Sequence, residues 1–329
     1  MKRRRRRLIR IGIAMLVLAA VFIFKEHFNG KFIYFTTGFD RHTLFEAGSQ
    51  TAYDYEAEIL FSDIRSQYEA LFGGDVWSRQ INGMSFETYA KEQVKTKLIR
   101  IACMNEMAQN RGVVLSREET SGVTKAAKEY MDAISAEKKS AIGVTNKEIE
   151  NMYTKFAIAN RLYTDMTGNI RTEISADYAR VIIIQYISSD SLETINSAKA
   201  KLDAGGNFFY VARETNENPE YEYELRRGEM EKSFEEAAYN LASGEVSDVV
   251  EAGGRYYIIK CVSDNEKTKT EVNRNDIMEA LKLEEFNKVF EPFEASVYLN
   301  FNEKLWNELE FRDLHNDDGF ENIFNKYFK

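Results

Sequence analysis

The chain has 329 residues, 44% hydrophobic and 29% charged, which excludes wholesale disorder and leaves room for two or three packed domains. Its two cysteines, Cys103 and Cys261, exclude a disulfide-dense scaffold and any Cys-rich zinc module. The net charge of −9 conceals an asymmetry: residues 1–10 carry seven Lys and Arg and no acid, so the remainder has 37 basic against 53 acidic residues. An acidic body repels a phosphate backbone, and nucleic acid is set aside as a partner.

Residues 1–7 read as a cytoplasmic basic segment and residues 8–25 as a transmembrane signal-anchor. Lys2 and Arg3 to Arg7 precede an uncharged run from Ile11 to Phe24, edged by Arg10 and closed by Lys25. Fourteen residues match the apolar part of a cleavable secretory signal. With Leu8 and Ile9 added, and Arg10 and Lys25 snorkelling to the interfaces, the run also crosses a bilayer. It ends in Val21 to Phe24 rather than a small-x-small cleavage site, which favours the uncleaved anchor with the arginines inside. Either reading exports residues 26–329.

Residues 26–174 read as a mostly helical region. A helix is expected over Asp54–Leu71, stopped by Gly73-Gly74. Ser85 caps a periodic stretch through Val94, Leu98, Ile101 and Ala108 that Gly112 closes. Ser116 to Glu119 is a capping box opening a third helix through about Ser135, and Thr145 to Glu148 another opening a helix through about Thr167.

The pattern then changes over residues 175–264. Tyr178 to Tyr186 (YARVIIIQY) is a β-branched run of strand length, buried on both faces at its centre. Helical stretches follow over Ser191–Leu202, Phe208–Ala212 and Phe234–Leu241. Ser247–Val250 and Arg255–Val262 are strand candidates split by Gly253-Gly254, a hairpin signal. This order describes a small α/β domain, and the fold class is therefore α+β. Residues 265–329 form a closing segment expected to pack back on the N-terminal region, helical over Val272–Val289 and aromatic and mixed from Leu299. Asp313 to Gly319 (DLHNDDG) has its glycine one place late for a calcium loop and reads as a polar turn.

Residues 175–264 resemble a parvulin-type peptidyl-prolyl isomerase domain. The likeness is carried by Ala198–Ala212 (AKAKLDAGGNFFYVA), Arg227-Gly228-Glu229-Met230, Phe234 to Tyr239 (FEEAAY), Leu241 to Ser247 (LASGEVS) and Tyr257 to Lys260 (YIIK). The whole layout is similar to exported foldases of the PrsA and SurA kind: anchor, helical chaperone region, parvulin-like domain, closing helix. The resemblance implies a bacterial cell-membrane protein, single-pass, with its bulk extracytoplasmic. It also implies unfolded or newly exported proline-containing polypeptides as partners, and leaves open a homodimer.

Prolyl isomerisation rotates an amide over a barrier of roughly 18–20 kcal/mol and breaks no bond, so it requires no metal, cofactor or nucleophile. It needs an apolar socket for the proline ring and a polar environment that favours the twisted amide. By resemblance the substrate-binding residues are Met230, Phe234 and Leu225, with Met230 and Phe234 on one side of a helical turn. The polar half departs from the family. Its first-strand histidine falls at Val181, its last-strand histidine at Tyr257, and its loop Asp or Cys at Asn218, while the chain's histidines (His27, His42, His315) all lie outside the domain. Tyr257 and Asn218 are the substitutes able to hydrogen-bond. The acidic stretch Glu220–Glu229 reads either as a groove rim favouring basic segments or as a solvated loop. Two mechanisms stay open: an isomerase working through Tyr257 and Asn218, or a degenerate domain that binds peptide as a holdase or assembly protein. A structural envelope protein without clients is the third reading.

Overall fold

The computed structural model describes residues 38–81, 83–216, 222–310 and 319–328. The expected membrane segment, Asn218 and most of the Asp313–Gly319 turn lie outside these. Among the described residues no helix is long and apolar enough to cross a membrane. Two compact units emerge: residues up to Gly168 together with Phe286 onward, and Asn169–Glu285.

The first unit opens on a hairpin that the sequence did not announce, β1 (Thr43–Ala47) and β2 (Gln50–Tyr53), turning at Gly48 with φ +60°. Helix α1 (Asp54–Phe72) follows. Helix α2 (Phe86–Arg111) starts where Ser85 Oγ accepts the Thr88 N–H at 3.1 Å and ends on left-handed Gly112, φ +69°. Helix α3 (Arg117–Ala133) has the expected reciprocal box, Glu119 N–H to Ser116 Oγ and Ser116 N–H to Glu119 Oε2. It stops before Ser135, because Ser135 caps a separate helix, α4 (Ala136–Ile142), by accepting the Lys138 N–H. Helix α5 (Asn146–Thr167) carries the second box, Thr145 with Glu148.

The second unit is built on a four-stranded antiparallel sheet. Strand β3 (Ile182–Ser189) leads into α6 (Leu192–Asp203) and α7 (Phe208–Thr215), then an edge strand β4 (Glu222–Leu225). Residues 222–225 are thus strand, not the solvated loop that an acidic run implies: Tyr223 and Leu225 alternate with Glu222 and Glu224 and pair with Ile184 and Ile182. Helix α8 (Lys232–Tyr239), β5 (Val250–Ala252) and β6 (Arg255–Ser263) complete it, in sheet order β4-β3-β6-β5. One sheet face packs Ile182, Ile184, Leu225 and Ile259 under Phe234 and Ala238 of α8. The other packs Ile187 and Ile258 under Ile195, Ala198, Phe208 and Val211. Strand β3 is therefore apolar on both faces, as its continuous run requires. Helix α9 (Lys267–Glu294) begins here, its Thr270 Oγ1 accepting the Val181 N–H at 3.0 Å.

From Phe286 the chain belongs to the first unit, adding β7 (Leu299–Phe301), α10 (Glu303–Glu308) and α11 (Phe320–Phe328). Strand β7 pairs with β1, Phe45 opposite Phe301, giving the sheet order β2-β1-β7. Phe320 is fully buried, its ring 4.0 Å from that of Tyr153. Cys103 and Cys261 are both free and buried.

Candidate functional site

The site forms where the turn before α8 faces the β5–β6 hairpin. That hairpin turns on Gly253 and Gly254, with φ of +57° and +76°, a pair of left-handed conformations that side chains resist. Opposite it, Arg227-Gly228-Glu229-Met230 makes a turn through Gly228 at φ +89°. Between them lies a cleft of about 520 Å³, walled by Gly228 to Lys232 on one side and Ala252, Gly253 and Tyr257 on the other, with Phe234 at its base. A Cβ on Gly253 would meet Glu231 Cγ at an ordinary contact distance of 3.5 Å, so it is the left-handed backbone and not lack of space that calls for glycine there.

The base is aromatic. The Phe234 and Tyr257 rings meet edge to face with centroids 5.0 Å apart, and Tyr186 stands edge-on to both. Phe234 has 0% exposure, whereas Met230 and Tyr257 are half-buried and open to the cleft. Tyr257 lines the cleft, and its phenol can both donate and accept a hydrogen bond.

The turn that carries Met230 is tied down by charge. Glu235, buried in the first turns of α8, accepts the N–H of Gly228 at 2.7 Å and of Met230 at 3.0 Å through the same Oε1. Glu229 Oε2 accepts the Arg226 N–H at 2.9 Å. The Arg227 guanidinium lies 3.7 Å over the Tyr239 ring and pairs with Asp177 at 2.7 Å. Partial burial raises the Asp177 carboxyl, but hydrogen bonds and charge from Arg180 and Arg227 outweigh it and hold the group below its ordinary range. Burial likewise raises Glu224 and is outweighed by Lys269 and Arg226. Burial, then the neighbouring Glu229, pushes the Tyr223 hydroxyl up.

Three sequence-expected residues thus line one cleft: Met230, Phe234 and Tyr257. Met230 precedes α8 rather than sharing a helical turn with Phe234, because Glu231 is the helix cap. Leu225 is not among the residues lining the cleft. It has 0% exposure, sits in the sheet core beside Ile182, and only its carbonyl is engaged, 3.1 Å from the Tyr239 hydroxyl. Val181 is fully buried, its N–H bonded to Thr270 and its carbonyl to the Glu266 N–H at 2.8 Å, so an imidazole there is replaced by plain core. Asn218 lies outside the described residues. Its neighbour Asn216 clamps β3, accepting the Ser188 N–H at 2.9 Å and donating to the Tyr186 carbonyl at 3.0 Å. Sequence reasoning missed Asn216 and Glu235. An acid seven residues after the Gly228 turn was the available signal for Glu235.

No family model matches this chain. It is similar to the foldase protein PrsA of Geobacillus kaustophilus, 39% identical over 100 residues, 29% of this chain and 35% of that protein. It is also similar to the foldase protein PrsA of Caldanaerobacter subterraneus, 25% identical over 227 residues, 62% of this chain and 68% of that protein. The peptidyl-prolyl cis-trans isomerase ESS1 of Saccharomyces cerevisiae is 58% identical over 36 residues, 11% of this chain and 21% of that enzyme. The aligned stretch therefore spans about a third of the Geobacillus relative's length.

Proposed function

We infer that this relative of the PrsA-type parvulin foldases is an extracytoplasmic foldase, exported and held at the bacterial membrane by residues 8–25, that binds unfolded polypeptides at proline. The single observation that carries the binding reading is the cleft itself: an aromatic base and a Met230 wall, bounded by two backbone turns. Proline is the fitting residue because its ring is apolar, compact and already restricted in φ, so little entropy is lost on docking. Contact with the ring falls to Met230 and Tyr257, since Phe234 is covered.

Binding without efficient catalysis follows from the chemistry. Val181 has no polar side chain to offer a twisted amide, and nothing in the described cleft carries an imidazole. A second reading, rotation of the X–Pro bond by this domain, draws on one observation: Tyr257 lines the cleft, and its hydroxyl can donate to the amide as it leaves planarity.

The test is titration of the full chain with matched peptides bearing Pro or Ala at one position, followed by cis/trans exchange spectroscopy on the Pro peptide. Preference for Pro that Met230→Ala reduces supports the reading. Equal affinity for both peptides, or none for either, overturns the proline socket. Accelerated exchange that Tyr257→Phe abolishes selects the isomerase over the holdase.

A further inference from the structure

We propose that Glu235 is a positioning residue for peptide binding, acting through Met230. This rests on the cleft being the peptide site. Glu235 itself does not line the cleft, yet one of its carboxylate oxygens takes both N–H donors of the turn that forms the cleft wall, Gly228 at 2.7 Å and Met230 at 3.0 Å. Two donors converging on one ionised oxygen are charge-assisted and directional. They fix the Met230 backbone relative to α8, the element that also carries Phe234.

The turn needs such a tie. Gly228 at φ +89° is the residue type with the most conformational freedom, and Met230 has the most adaptable of apolar side chains. Without an anchor the wall of the socket would sample many positions. The cost of losing Glu235 falls on order more than on folding, because the turn is only half-buried and water can take over the released N–H groups. Glu235, by contrast, is 9% exposed, so its carboxylate is oriented by its surroundings.

The experiment uses the full chain with Glu235→Leu, Glu235→Gln, Met230→Ala and the Glu235→Leu, Met230→Ala double variant. Affinity for a proline peptide and the methyl signals of ¹³C-labelled methionine are read on each. Glu235→Leu should weaken binding roughly tenfold, the scale of a lost charge-assisted bond. Glu235→Gln keeps a carbonyl oxygen at the same place and should stay within about threefold of the parent. In the Met230→Ala background Glu235→Leu should add nothing, because the residue it positions is gone. The Met230 methyl signal should move in Glu235→Leu while the other nine methionines keep theirs.

An equal loss in the Met230→Ala background, or an unmoved Met230 signal, overturns the proposal. Displacement of all methionine signals also overturns it, since Glu235 would then support the fold rather than one wall; Glu235→Ala repeats the comparison with a smaller change. A parent chain that binds no proline peptide sinks the functional reading instead, and the methyl signal alone then decides whether Glu235 orders Met230.

Discussion

The Tyr257 ring stands edge-on to Phe234, 81° between planes and 5.0 Å between centroids. Tyr186 also stands edge-on to Phe234, which has no exposure in the core it shares with Ile182, Ile184 and Ile259. A residue that reads as the socket's proline-facing ring is therefore the floor under another ring.

This relationship separates two substitutions that sequence alone treats alike. Phe234→Ala should cost about 3–5 kcal/mol of stability, as for other buried aromatics, so loss of binding in that variant reports unfolding. Tyr257→Ala removes a half-buried ring and should leave the domain folded while uncovering Phe234. Urea unfolding followed by peptide titration checks both. A Phe234→Ala variant as stable as the parent would contradict its place in the core.

Helix α11 should be a structural part of the first unit. Phe320 is stacked on Tyr153, and its carbonyl accepts the Tyr153 hydroxyl at 3.1 Å. Phe320→Ala should destabilise that unit by about 3–5 kcal/mol. Denaturant unfolding followed by circular dichroism reads this, and a midpoint unchanged from the parent would detach α11 from the core.

Stability of the first unit should fall as pH rises from about 4 to about 7. Burial pushes the Asp63 carboxyl from 3.8 up to about 7, helped by Glu321 and opposed by Lys138. Burial does the same to Glu294, from 4.5 to about 7, opposed by Arg100. An acid with a raised folded pKa binds more protons folded than unfolded, so its stabilisation is full below the unfolded value and lost through the folded one. Each group should contribute a slope of roughly 1.4 kcal/mol per pH unit inside that window. Asp63→Asn, which keeps an oxygen to accept the Glu321 N–H now bonded at 3.1 Å, should flatten the profile. Identical pH profiles for parent and variant would refute this.

Much of the helical architecture was legible because its signals are local. Ser85, Ser116 and Thr145 cap helices within three residues of their own positions, and Gly112 ends one by its own φ. Ser135 shows the limit: it reads as the end of a helix, whereas in the structure it caps the start of the next one. The β1–β2 hairpin is not legible in the sequence because its strands are short, and β1 gains its second partner only at Phe301, far along the chain.

The sequence by itself determined the α+β class, the β-branched central strand, the Gly253-Gly254 hairpin and a helix through Phe234, since each follows from periodicity or from a backbone conformation that few residues adopt, while the frame from Arg227 to Met230 was legible only by its family resemblance. Only the tertiary structure decided which side chains of that frame face the cleft. Leu225 points into the sheet core because its register partner is Ile182, Phe234 is roofed by a ring from a strand more than twenty residues later, and Glu235 turns inward to hold Met230. Those outcomes are set by pairing across the sheet, where a side chain's environment depends on residues distant in sequence.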